Sequence, residues 1–187
     1  MTGFSIANLG TVRDGGIVFY IAPSPTDLDG DGDLDTGLVC AIEDHSNLIA
    51  WINPEIETTE NGGTLASIGT GQTNTTAMTS QVGYTGGAAK VCNDYTTTVN
   101  GITYNDWFLP SKDELNQMYV HKAVINTAAT ADGVGGAVFS YNNSRYYWSS
   151  TEAGSNDAWC QYFFNIANSQ NQPEKSFSHY VRAVRAF

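Results

Sequence analysis

Apolar and polar residues follow one another in patterns that predict short strands separated by helices and long loops. β-Branched and aromatic residues cluster in 16–22 between Gly and Pro, as is usual for strands. The apolar run 38–42 predicts a second strand, which a turn at Asp44-His45 follows. The Pro23-Ser24-Pro25 step predicts the end of the first strand. Residues 99–104 surround Asn100-Gly101, which is the strongest short signal for a β-hairpin.

The middle of the chain carries the patterns of helices. Residues 73–82 can form a short helix, and residues 87–95 form another that places small and apolar side chains on one broad face. Ser111 follows a proline and stands three residues before Glu114, which is the spacing of a capping box. Apolar residues then recur at helical spacing, and we expect one continuous helix over 112–125.

The tail of the chain shows three more strand patterns, at 145–150, 158–164 and 180–187. The last of these mixes large and charged side chains on both faces, so we expect it to be a central strand. Helices between short strands of a small antiparallel sheet make the fold class α+β.

Within the second tail strand, alternation separates two sets of side chains. Trp159 and Phe163 are the large pair, so their face is expected to be the core. Cys160, Tyr162 and Phe164 would then face outward.

An acidic stretch at 27–35 has the densest charge in the chain. Alternate aspartates with a glycine at the sixth position resemble the first half of a helix–loop–helix calcium loop. The candidate calcium ligands are Asp27, Asp29, Asp31 and Asp33. Leu38 stands where such a loop places its bidentate glutamate, and the alternative is a solvated acidic turn between two strands.

Charge, hydrophobicity and cysteine spacing disfavour several kinds of partner and site. The formal net charge is −11 with eight Lys and Arg, which disfavours nucleic acid and anionic lipid. The longest apolar run, 17–22, is too short to cross a bilayer, and Met1–Phe4 shows no feature of a signal peptide. Cys40, Cys92 and Cys160 lack metal-site spacing and are expected to be buried thiols.

Catalytic motifs are missing from the sequence. It contains no His-Glu-x-x-His, Gly-x-Ser-x-Gly or Cys-x-x-Cys segment, and no carboxylate pair stands in an apolar setting. We therefore expect no enzymatic activity, no catalytic residue and no required cofactor, with calcium as the one candidate ion.

Several segments of the chain form a distinctive set. They are Trp148-Ser149-Ser150-Thr151-Glu152, Ala158-Trp159, Lys175, the terminal run from Tyr180 to Phe187, the run from Asp106 to Leu115, and the run from Gly15 to Tyr20. Together these segments resemble the C-type-lectin-fold variable proteins of diversity-generating retroelements. The resemblance implies one C-type-lectin-like domain over 1–187, with the first and last strands paired. It also implies a variable ligand-binding region at 146–187, and 27–35 would be an insertion.

The resemblance also implies a binding surface on the tail, rich in Tyr, Ser and Asn as paratopes are. The candidate ligand-binding residues are Ala153, Ser155, Asn156, Asp157, Cys160, Tyr162, Phe164, Ser176, Phe177, Ser178 and His179. Tyr162 and Phe177 are expected to contribute most. The expected partner is a protein or glycan on a target surface, and the expected location is a cell surface or a phage particle.

Three other functions stay open. The Trp107-Phe108-Leu109-Pro110-Ser111 signature is similar to that of the C-terminal adhesin domain of collagen-like surface proteins, which implies a carbohydrate-binding adhesin module of fixed specificity. A structural subunit without a ligand is another. A relative of the formylglycine-generating oxidase is disfavoured, because that activity needs cysteines in the C-terminal region and Cys160 stands alone there.

Overall fold

The computed structural model describes residues 8–131, 133–139, 145–163 and 169–187. These residues form a mixed α+β structure with four α-helices and several sheets. The helices are α1 (Gly71–Thr79), α2 (Ala88–Asn93), α3 (Lys112–Val120) and α4 (Lys122–Ala129), and a 3-10 turn covers Pro54–Ile56. The strands are β1 (Val12–Arg13), β2 (Gly16–Thr26), β3 (Asp35–Ala41), β4 (Ser46–Ile49), β5 (Thr97–Val99), β6 (Ile102–Tyr104), β7 (Tyr146–Glu152), β8 (Ala158–Tyr162), β9 (Ser169–Asn171), β10 (His179–Val181) and β11 (Val184–Ala186).

Two sheets carry the fold. The first has the strand order β1-β2-β3-β11, and the second has the order β4-β10-β7-β8-β9. Neighbouring strands are antiparallel except β7 and β10, which run parallel. The hairpin β5–β6 stands apart as a third, two-stranded sheet. None of the helices in the described part of the chain has the length and apolar character needed to cross a bilayer.

Apolar side chains are buried on both faces of both sheets. Along β2, Ile17 belongs to one buried cluster and its neighbour Val18 to a second. Along β7, Tyr147 belongs to the first cluster and Trp148 to the second. The central strands therefore have no solvent-facing side, which changes what alternation along a strand can predict.

Locally encoded elements form as predicted. Asn100 and Gly101 both have positive φ, at 52° and 82°, and close the β5–β6 hairpin. At the start of α3, the Glu114 amide donates to Ser111 Oγ at 3.3 Å, and the Ser111 amide donates to Glu114 Oε2 at 2.7 Å. The predicted hairpin and capping box are thus confirmed.

Two predicted boundaries are wrong. β2 does not end at Pro23 but reaches Thr26, because its pairing with β3 shifts register after Ile21 and resumes at Thr26. The single helix over 112–125 is two helices that meet at His121, whose backbone (φ −99°, ψ 14°) leaves the helical region. The break lets α4 bury Ile125, Ala128 and Ala129.

The predicted last strand, 180–187, is also two strands. β10 lies between β4 and β7 in the second sheet, while β11 lies at the end of the first. Among the described strands, the last one does not pair with the first as the resemblance implied, because β3 lies between β2 and β11. One side of β11 is taken by β3, and on the other the Phe108 amide donates to the Val184 carbonyl at 2.8 Å. Both sides of β11 are therefore occupied. The short strands β4 and β9 were not predicted.

Candidate functional site

Two turns of the tail lie side by side at one end of the second sheet. The first turn, 153–157, joins β7 to β8, and the second, 174–178, precedes β10. The Lys175 amide donates to the Asn156 carbonyl at 2.8 Å, which links the turns directly. We call the exposed side of these two turns the loop surface. It contains residues from both tail loops that the sequence singled out.

Each turn is closed by its own backbone hydrogen bonds. The amides of Ala153 and Gly154 donate to the Asp157 carbonyl at 2.8 and 3.2 Å. The Phe177 amide donates to the Glu174 carbonyl at 3.0 Å. These bonds satisfy main-chain groups that would otherwise need water, and they define the path of each turn.

A shallow groove of about 190 Å³ opens on the loop surface. Glu57 and Thr58, which follow the 3-10 turn, form one part of its lining. Asn156 comes from the first turn, and Glu174 and Ser176 come from the second. The groove thus gathers two carboxylates and three polar side chains from three separate segments.

A buried lysine supports the loop surface from below. The Lys175 side chain is 0% exposed, and its ammonium donates to Glu152 Oε1 at 2.6 Å and to the Ser155 carbonyl at 2.7 Å. A longer bond of 3.3 Å reaches the Thr59 carbonyl, and the ammonium lies 5.2 Å from the Trp51 ring centroid. One cation therefore joins the first turn to the segment next to Glu57.

Glu152, the partner of Lys175, is itself well bonded. Its carboxylate accepts from the Asn61 amide at 2.9 and 3.0 Å and from the Gly62 amide at 3.1 Å. A buried ion pair needs additional hydrogen bonds to offset its desolvation, and this pair has them.

The candidate residues of the two turns differ in exposure. Ala153, Asn156, Ser176, Phe177 and Ser178 are exposed, whereas Ser155 and Asp157 are half-buried. Phe177 is the largest of them and is 53% exposed. Large aromatic side chains that face solvent are typical of recognition sites.

Cys160 does not belong to the outward face, so this prediction is wrong. Its side chain is 2% exposed and packs in the second cluster with Trp148 and Val181. Burial raises the pKa of its thiol to about 12, which leaves it protonated and unreactive at neutral pH. Trp159, predicted as core, is instead half-buried beneath the Lys112 ammonium. The sheet is covered on both faces, so alternation alone could not assign the faces of β8.

Tyr162 and His179 belong to a row of rings at the other end of the sheet. The Tyr162 ring stacks on Tyr146 with centroids 4.6 Å apart, and Tyr146 lies 5.3 Å from His179. All three are half-buried, and burial lowers the pKa of His179 to about 4. Phe164 lies outside the described residues. The predicted patch therefore has two parts, the loop surface and this aromatic row, which residues 177–178 connect along the chain.

The acidic segment folds back on itself. Asp27 accepts from the amides of Gly30 at 2.6 Å and Gly32 at 3.2 Å, and both glycines have positive φ. Ligand oxygens of Asp27, Asp29 and Asp35 lie within 4.8 Å of one another.

Two of the four predicted calcium ligands, Asp27 and Asp29, thus lie in one group. Asp31 and Asp33 lie outside it, and Asp35 takes their place. Burial and the neighbouring carboxylates raise the pKa of Asp29 to about 6. A cation would relieve this repulsion, since calcium takes carboxylate ligands.

Sequence reasoning missed several residues of the site. Glu57 and Thr58 lie in a polar segment with no periodicity, and nothing in the sequence places that segment beside the tail. Glu174 pairs with Asp157 in an isolated β-bridge that bounds the groove. Tyr146 could have been found, since it opens a strand whose partner holds Tyr162.

The family described as "Lcl C-terminal domain" matches residues 41–185. The matched stretch contains both turns of the loop surface and the aromatic row, and it leaves out the acidic segment 27–35. No curated protein matches the chain.

Proposed function

This chain belongs to the Lcl C-terminal domain family, and on that premise we propose that it is a ligand-binding display protein whose tail contacts the ligand. The proposal rests on the structure of the loop surface. It combines an exposed aromatic side chain, Phe177, with a polar groove, and a buried ion pair supports both turns. An aromatic anchor with a polar rim on a preorganised backbone is the anatomy of a protein-binding surface.

A finer assignment follows the resemblance of the tail. We propose a C-type-lectin-like fold and diversification of the tail by a retroelement. The mixed α+β architecture and the family match over the tail support this assignment. The test is genomic: a near-identical repeat of the tail's coding sequence, differing only at adenines, beside a reverse transcriptase gene. A locus without such a repeat would contradict the retroelement but not the binding function.

We also propose that the protein catalyses no reaction. The chemistry of the thiols supports it, because burial raises the pKa of Cys40 to about 11 and that of Cys92 well above its usual value. Such thiols are poor nucleophiles.

The partner is proposed to be a protein or glycan on a target surface, with display on a cell or phage particle. A net charge of −11 opposes binding to nucleic acid and insertion into anionic membranes, which supports this assignment.

A carbohydrate-binding module of fixed specificity is the second candidate. The aromatic row favours it, because the half-buried rings of Tyr146 and Tyr162 offer partly exposed aromatic surface on which a sugar could stack. In that case a glycan would bind at the row rather than at the groove.

We further propose that Asp27, Asp29 and Asp35 bind one calcium ion with a structural role. A groove of about 670 Å³ lies between this segment and α1 and includes Asp29 in its lining. Calcium would stabilise the segment without contacting the ligand of the loop surface.

Two binding screens on the purified chain test the main proposal. A random peptide library on phage and a glycan array are each probed with the wild type and with Phe177→Ala. We expect peptides whose binding weakens about 30-fold in Phe177→Ala, the loss of one hot spot. If the selected ligands bind the wild type and Phe177→Ala equally well, or if neither screen yields a ligand, the loop surface is not the binding site. Glycans that bind both proteins equally but not Tyr146→Ala would favour the second candidate.

A further inference from the structure

Every lysine and arginine of this chain is engaged within the molecule. The sequence has eight of them, and all lie in the described residues. Two lie over aromatic rings: Lys112 is 3.8 Å from the Trp159 centroid and Lys122 is 3.7 Å from that of Tyr119. The others form ion pairs with carboxylates, and they are Arg13, Lys90, Arg145, Lys175, Arg182 and Arg185. The chain therefore has few cations left to offer a partner, while its 19 acidic residues outnumber them.

The loop surface shares in this excess of negative charge. Its groove is lined by the carboxylates of Glu57 and Glu174, and no lysine or arginine belongs to the lining. Lys175 is next to Glu174 in sequence, but its ammonium points inward to Glu152 and is 0% exposed. The buried pair is neutral as a unit, so it does not offset the two carboxylates above it.

The dimensions of the groove limit what it can hold. At about 190 Å³ it is smaller than the pockets of about 300–1,000 Å³ that enclose whole small ligands. It is suited to one long side chain. Phe177 follows the lining residue Ser176, and its amide donates to the Glu174 carbonyl at 3.0 Å. Its side chain is 53% exposed, so the turn that carries Glu174 also carries an exposed aromatic ring.

Resting on the proposed function, we propose that the groove takes a lysine or arginine side chain from a protein partner. The methylene stem of such a side chain packs on an aromatic ring while its head meets carboxylates. Glu57 and Glu174 would bind the cationic head, and Phe177 would contact the stem. Charge complementarity across the interface would also speed association at low salt.

The carboxylates of the groove do not have the arrangement of a metal site. Among the described residues, the group of acidic, histidine or cysteine side chains whose ligand atoms converge at metal distance is Asp27, Asp29 and Asp35. Glu57 and Glu174 do not belong to it. Sulfated glycans and phosphate-bearing ligands would meet like charge at this groove.

The test uses the Phe177-dependent peptides from the phage library. Their sequences should be enriched in Lys or Arg relative to the unselected library. A synthetic copy of a selected peptide is then titrated into the wild type, into Glu57→Gln/Glu174→Gln, and into the charge-matched control Glu43→Gln/Asp113→Asn. We expect the groove variant to bind about tenfold more weakly and the control to stay within about twofold of the wild type. Replacing the arginine of the peptide by neutral citrulline should cause a similar loss.

The possible outcomes distinguish a failure of this inference from a failure of the proposed binding function. If the Phe177-dependent peptides are not enriched in Lys or Arg, this inference is wrong and the binding function still stands. The same holds if the groove variant and the control variant lose affinity equally. Selection of Phe177-dependent glycans but no Phe177-dependent peptides would likewise overturn this inference and leave the binding function standing. A failure to obtain any Phe177-dependent binder would overturn both. Thermal melts of the two variants verify that a loss of binding is not a loss of folding.

Discussion

The ammonium of Lys175 lies 2.6 Å from Oε1 of Glu152, and both side chains are buried beneath the turns that form the loop surface. The same distance separates Lys90 on α2 from Asp94, the residue that follows this helix, but those two side chains are about half exposed. The two pairs differ in burial and in their surroundings, not in length. They are therefore matched probes of what burial does to an ion pair.

Lys175→Met should destabilise the fold by about 3–5 kcal/mol, because it leaves the Glu152 carboxylate buried without its cation. Lys90→Met should change the free energy of unfolding by less than about 1 kcal/mol, since exposed pairs contribute little. Urea unfolding measures both. Equal losses in the two variants would mean that Lys175 is not buried as described.

Phe177→Ala should leave stability within about 0.5 kcal/mol of the wild type, because the side chain is largely exposed. Its effect should appear in binding, at about 2 kcal/mol, when a peptide selected on the wild type is titrated into the variant. Phe163→Ala is the contrasting control, since Phe163 is 1% exposed and its loss should cost about 3–5 kcal/mol. A Phe177→Ala protein that melts like Phe163→Ala would place Phe177 in the core.

Calcium should raise the melting temperature of the wild type, because binding to the native chain alone stabilises it by about 2.7 kcal/mol at a hundredfold excess over the Kd. Asp29→Asn should remove most of this shift, and Asp33→Asn, outside the carboxylate group, should keep it. Melts in chelator and in millimolar calcium give the comparison. A wild type that melts identically in both has no calcium site.

Glu114 should make stability fall as pH rises. The side chain is buried at the start of α3, and burial raises its pKa from 4.5 to about 7. The native state therefore holds a proton that the unfolded state has lost, so the contribution is present below about pH 4.5 and disappears as pH passes through about 7. The half-buried His45 and His179, whose pKa values are lowered to about 4 by burial, act in the opposite sense.

The difference in unfolding free energy between wild type and Glu114→Gln isolates the glutamate from those histidines. This difference should move in favour of the variant between about pH 5 and about pH 8. A difference that is constant over this range would show that Glu114 is ionised throughout.

The parts of the fold that the sequence predicted are those encoded by neighbouring residues. Asn100-Gly101 and the Ser111–Glu114 box each act over four residues or fewer, and each forms as expected. The break at His121 and the division of 180–187 into β10 and β11 depend on what packs against those segments. Patterns within the segments do not carry that information.

The candidate site could be predicted only in part, again because sequence patterns do not show what packs against a segment. Composition singled out residues in both turns of the tail, but Cys160 was assigned to the wrong face because alternation indicates a core side only when the other side meets water. The acidic segment shows a second limit of prediction from sequence, which concerns the choice of calcium ligands. Its glycines, at φ 84° and 95°, bend the chain so that Asp35 reaches Asp27, a closure that spacing along the sequence did not suggest.

Apart from the Lys175–Glu152 ion pair, the bonds that anchor the loop surface end on main-chain atoms. Lys175 reaches the carbonyls of Ser155 and Asn156, and the turns close through the carbonyls of Asp157 and Glu174. Every residue except proline presents the same amide and carbonyl, so the path of these turns is largely indifferent to which side chains they bear. Such a frame can accept new amino acids at its exposed positions without refolding, and its contact surface can evolve much faster than its architecture.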